Sequence, residues 1–171
     1  MDMLYGNYRA KVIDNSGDEY KAGRIKIRVY GIHDNVKVSA LPWAQYADTQ
    51  MIGSLMVPDV GTDVWVFFEM GDIDQPVYFA AAPNKPDVPR SASTNYPHNR
   101  VVQTKSGITI EANDAESTYT ITIGDLVLTI EENELSIVMN NKNFILNNAG
   151  ITLIADNKIS LTAPTLSLNG L

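Results

Sequence analysis

The stretch Tyr119-Thr120-Ile121-Thr122-Ile123, followed by Leu126-Val127-Leu128-Thr129-Ile130, decides the fold. Apolar side chains stand at every second position with polar ones between them, so each piece reads as a strand with one face to bury. The pattern repeats outward from there, in Leu135, Ile137 and Met139, Phe144 and Leu146, Ile151, Leu153 and Ala155, Ile159, Leu161 and Ala163, and Leu166 and Leu168. The seven segments start at residues 119, 126, 135, 144, 151, 159 and 166, in steps of seven to nine. Asn140-Asn141, Asn147-Asn148, Asp156-Asn157 and Asn169-Gly170 separate them with residues that tolerate the backbone angles of a bend.

A unit this short is too small for one coil of a single-chain solenoid, whose repeats begin near 20 residues. Three copies of the chain, each giving one strand per turn of a three-sided prism, bury the inward residues on a common axis and leave no open edge along its length. Residues 101–171 are therefore expected to form an intertwined trimeric β-helix. Its core consists of Ile121, Ile123, Leu128, Ile130, Leu135, Ile137, Leu146, Ile151, Leu153, Ile159, Leu161, Leu166 and Leu168. The alternative is an antiparallel meander within a monomeric β domain. Val127, Val138, Ile145 and Ile154 have the opposite parity and fit the prism poorly.

Composition bounds the rest. The 171 residues, 44% hydrophobic, suffice for one ordinary domain and an extension. With no cysteine, disulfides and Cys-ligated zinc are excluded. No run of eighteen apolar residues occurs, nor a basic-then-apolar amino terminus, so neither a spanning helix nor a secretory signal is expected. The net charge of −7 is uneven: residues 1–100 hold ten Lys or Arg and twelve acids, whereas 101–171 hold three and eight. An acidic rod disfavours nucleic acid or anionic lipid as a surface ligand.

Residues 1–82 read as a five-stranded, OB-type barrel. The strands are Leu4 to Ile13, Arg24 to Tyr30, Gly53 to Val57, Asp63 to Met70 and Val77 to Ala82, with Pro42-Trp43-Ala44 as a lead-in to the third. Pro83, Pro86, Pro89 and Pro97 mark residues 83–100 as an extended linker to the β-repeat of 101–171.

The ordered set from Gly23-Arg24-Ile25-Lys26-Ile27-Arg28-Val29-Tyr30 through Leu41-Pro42-Trp43-Ala44, Gly61-Thr62-Asp63-Val64-Trp65 and Gln75-Pro76-Val77-Tyr78 resembles the OB-fold domain of the central spike proteins of contractile-tailed phages. Type VI secretion spikes share that domain. Asn99-Arg100-Val101-Val102-Gln103 to Glu111 is similar to the lead-in to their trimeric β-helix. The resemblance implies a non-enzymatic homotrimer of a baseplate, in a virion or phage-like injection particle and made in a bacterial cytoplasm. Its OB domains dock on a hub, and its needle, about 35 Å for seven strands, is driven through a target envelope. No lysozyme domain separates barrel from repeat, and no His-x-His pair ends the chain. A PAAR-type cap is accordingly expected on Leu168, Asn169 and Leu171. The other functional class is an OB-type ligand-binding module with a trimerisation stalk.

Catalytic and metal roles find little support. Asp72 and Asp74 flank a tight turn without the further ligands of a calcium loop. Glu131, Glu132 and Glu134 fall where two strands meet, as a solvated corner would. His33 and His98 have no acid and nucleophile at recognisable spacing. Trp43, Trp65, Phe67, Phe68, Tyr78 and Phe79 could stack bases but read as core, and Arg24, Lys26 and Arg28 form the one basic stripe, able to pair with nucleic acid, a neighbouring subunit or a hub. No cofactor or metal is expected.

Overall fold

A computed structural model describes residues 3–47, 54–160 and 162. The chain divides between Val88 and Pro89 into two compact units. In the first, β1 (Tyr8–Asp14), β2 (Ile25–Val29), β3 (Trp43–Tyr46), β4 (Asp63–Phe68) and β5 (Pro76–Ala81) close a barrel in the order β1-β2-β3-β5-β4. All neighbours run antiparallel except β3 and β5, which pair in parallel through Gln45 with Val77 and Tyr46 with Tyr78. The expected strand count is met, but the third strand is Trp43–Tyr46, and residues 54–57 form no strand.

Strict alternation builds this barrel. Ile25, Ile27 and Val29 are wholly buried while Lys26 and Arg28 lie outside, and Val64, Val66 and Phe68 point inward from β4. With Ala10, Val12, Ala44 and Tyr78 they make one core. Register shifts at Val12/Asp14 and Trp65/Val66 add the twist that closing so few strands requires.

The second unit is a single sheet. Its strands β6 (Asn99–Gln103), β7 (Thr109–Asn113), β8 (Thr118–Ile123), β9 (Leu126–Ile130), β10 (Glu134–Met139), β11 (Lys142–Asn147) and β12 (Gly150–Ile154) form an antiparallel meander in chain order. Every ladder described joins consecutive strands of the same chain. That differs from a repeat in which each turn borrows strands from other copies, and it is the pairing of the meander alternative. The physical reason is local: connections of two to five residues with Gly124 or Asn140 at positive φ fold each strand straight back on the last. Ile159 lies outside any strand, and Leu161, Ala163, Leu166, Leu168, Asn169 and Leu171 lie outside the described residues.

Residues 85–87 and 90–93 are short 3₁₀ helices within the span expected to be an extended linker. The first carries a capping box, the Asn84 side chain and Asp87 carboxylate each meeting the other's backbone N–H.

Candidate functional site

Register sorts the sheet into two unlike faces. One column across all seven strands reads Val102, Ile110, Ile121, Leu128, Ile137, Phe144, Leu153. On the same face a flanking column reads Ala112, Tyr119, Ile130, Leu135, Leu146, Ile151, and Ile123, Leu126 and Met139 stand on the other flank. The opposite face carries Thr109, Glu111, Thr118, Thr120, Thr122, Thr129, Ser136, Asn143 and Thr152.

No second layer covers the apolar face within the described residues of this unit. Val102 is 53% exposed, Ile123 49%, Leu146 42% and Ile151 66%. Nine of the residues assigned to a buried axis from the sequence, Ile121, Ile123, Leu128, Ile130, Leu135, Ile137, Leu146, Ile151 and Leu153, all lie on this face. Val102, Ile110 and Phe144 share it and were not assigned; their parity was the available signal. Val127 and Val138 stand opposite each other on the polar face, with Ile145 and Ile154 on that face too, so their contrary parity is real.

The turns form two rows. One row holds Asp114 and Glu116, then Glu131, Glu132 and Glu134, then Asn148 and Ala149. Glu116, Glu131, Glu132 and Glu134, with Asn133, Asn147, Asn148 and Ala149, line a shallow, open depression of about 620 Å³. Glu134 accepts a hydrogen bond from Asn147 at 2.9 Å, and Glu116 accepts one from Asn95 at 3.2 Å. Among the described residues no cluster able to hold a metal ion is found. The other row holds Lys105, Asp125, Lys142, Asp156 and Lys158, with Lys142 and Asp156 paired at 3.0 Å.

The barrel's polar candidates are occupied internally. Arg24 donates to Asp18 from both Nε and Nη2 at 2.8 Å, Lys26 reaches the Val38 carbonyl, and one Arg28 nitrogen donates to the carbonyls of His33, Asp34 and Val36. The basic stripe is thus committed to its own loops. Nor are all six aromatics core: Phe68 and Tyr78 are buried, but Trp43 lies under Lys26, Trp65 under Arg9, and Phe67 pairs with Phe79, all half-buried on the outer side. His33 is buried, and its Nδ1 accepts the Val29 amide at 3.2 Å. Burial, then Arg28, pushes it below the ordinary histidine value, which favours the neutral imidazole. His98 is exposed. Asp72 accepts hydrogen bonds from the Asp74 amide and the Gln75 side chain, which makes it a turn residue.

Nothing in the sequence marks Asp63 as more than a strand residue. Burial alone would raise its carboxyl; hydrogen bonds from Tyr30, Lys11 and Asn84 outweigh that and hold it below the usual range. The partners are distant in the chain, so no spacing signalled them. Asn84 is also joined to Arg9, which donates to the Ala82 carbonyl at 2.8 Å.

Residues 8–82 match the model of a family described as the type VI secretion system/phage-baseplate injector OB domain. A comparison with curated proteins finds no match.

Proposed function

We propose that the chain is the non-enzymatic central spike of a contractile injection machine, a reading supported by the match of residues 8–82 to the type VI secretion system/phage-baseplate injector OB domain. Three copies would enclose the apolar faces of their sheets on one axis, with residues 101–171 as the piercing needle. The observation that carries this reading is the unbroken seven-residue apolar column on an uncovered sheet face. Soluble chains cover such surfaces.

Strand length supports the number three. Facing sheets pack about 10 Å apart, which leaves about 5 Å from each sheet to a common centre. A three-sided prism with faces about 5 Å from its axis has sides about 17 Å wide, and strands of five or six residues span about 17–20 Å. The prism differs from the intertwined version in detail. Over residues 99–154 each chain would supply one whole face, rather than one strand per turn. A stack of paired strands resists load because failure must break many ladder bonds together.

In this reading the barrels dock on a baseplate hub, and a PAAR-type cap sits at Leu168, Asn169 and Leu171. Sedimentation of the purified chain tests the trimer; a monomer at micromolar concentration overturns it. Labelled chain located by electron microscopy in assembled tail particles tests the machine, and its absence from them refutes the assignment. Incubation with purified peptidoglycan tests the absence of enzymatic activity, because release of soluble fragments above a buffer control would reveal a catalytic site.

A further inference from the structure

The three lysines of residues 101–171, Lys105, Lys142 and Lys158, all lie in one row of turns, along one side of the sheet. Asp114, Glu116, Glu131, Glu132 and Glu134 lie along the other side with a single cation, Arg100. The sheet is therefore polarised across its width: five carboxylates to one guanidinium on one side, three ammonium groups to two carboxylates on the other. We propose that this split is the recognition device of the trimer's corners, the lysine row of one copy seating against the acidic row of the next, so that all three chains point the same way. The inference rests on the trimeric reading above and adds to it a partner surface and a direction.

The rows are also complementary in shape. An antiparallel meander places its turns alternately on the two sides, so the turns of one row stand at the levels of gaps in the other. The Asn140–Lys142 turn, between β10 and β11, stands level with the notch between the Glu131–Glu134 turn and the Asn148–Ala149 turn. That notch is the depression lined by Glu131, Glu132, Glu134, Asn147 and Asn148. Among the described residues Glu131, Glu132, Lys105 and Lys158 make no ion pair in their own chain. A copy turned end for end would set acidic row against acidic row, at a cost in like-charge repulsion. Two carboxylates stand in the lysine row: Asp156, which is paired with Lys142, and Asp125, which makes no ion pair among the described residues. Asp125 would meet the neighbour's Asp114–Glu116 and Glu131–Glu134 turns.

The experiment uses the full chain, with assembly followed by analytical ultracentrifugation at about 0.05 M and 1 M salt. Lys142→Glu is expected to raise the concentration needed for half-assembly about tenfold at low salt. The difference should fade at 1 M, where screening reaches only about 3 Å. Glu132→Lys combined with Lys142→Glu restores assembly, a recovery that loss of the Lys142–Asp156 pair alone cannot produce. Asp125→Lys tightens assembly more than Asp59→Lys, which changes the net charge equally but lies on the barrel. If wild type and variants are trimers with equal assembly and equal salt dependence, or if the double variant is no better than Lys142→Glu, the corner pairing is wrong while the trimer stands. If the wild-type chain never assembles, the trimer fails and the corner with it.

Discussion

At the residue scale the barrel is held by apolar positions that alternate and by two carboxylates that do not. Ile27 is wholly buried at the centre of β2, and Ile27→Ala should cost about 2–5 kcal/mol, measured by chemical denaturation followed by tryptophan fluorescence. Loss of less than about 1 kcal/mol would mean that the barrel is not packed as described. Asp18 accepts the Tyr20, Ala22 and Arg24 amides as well as the Arg24 guanidinium, and burial's upward push on it is overcome by those bonds. Asp63 behaves alike. Both have folded-state values below the ordinary aspartate value near 4, so the stability they supply is complete above that value and is lost as pH falls through the depressed values. The melting temperature of the barrel should therefore fall between about pH 5 and pH 2. Asp63→Asn should start lower and show a flatter fall; an unchanged slope would show that Asp63 contributes no proton linkage. Ile25, Ile27 and Val29 were legible because parity encodes burial within one strand. Asp63 was not, since Tyr30, Lys11 and Asn84 come to it only when the barrel closes.

Elements were legible where the alternation was long. β8 to β12 fall on the segments read from sequence, since each carries two or three apolar residues of one parity. β6 and β7 contribute few each, Val102 and Ile110 to the apolar face and Val101 behind it, so a lead-in was visible and a paired strand was not. In the barrel, Leu55 to Val57 has the composition of a strand, yet Trp43–Tyr46 takes the place, because its parallel pairing with β5 closes the ring. Such a pairing leaves no local pattern. The two faces of the sheet give a direct test of the element-scale reading. Leu153→Asp puts a carboxylate on the apolar face, where desolvation and repulsion between copies should abolish assembly. Thr152→Asp, one residue away on the polar face, should leave it nearly unchanged. Equal sedimentation of the two variants would show that the apolar face is not enclosed.

At the scale of the whole molecule the two units differ in what stabilises them. The barrel encloses its own core, so its unfolding is intramolecular. Within the described residues of its unit the sheet is one layer with no second layer on its apolar side, and a lone layer of that kind is poorly stabilised in water. If copies of the chain supply the missing layer, its stability must rise with concentration by mass action, whereas that of the barrel need not. The chain separates these signals naturally. Both tryptophans, Trp43 and Trp65, lie on barrel strands, so their fluorescence reports the barrel, while far-ultraviolet circular dichroism reports the strands of both units. Over a hundredfold range of protein concentration, the fluorescence-detected transition should stay within a few degrees. A separate transition seen by circular dichroism should move upward with concentration, and Leu153→Asp should remove that movement. A dichroism transition that ignores concentration would mean that the sheet is stable without partner copies, and the apolar column of Val102 to Leu153 would then need an occupant other than this chain.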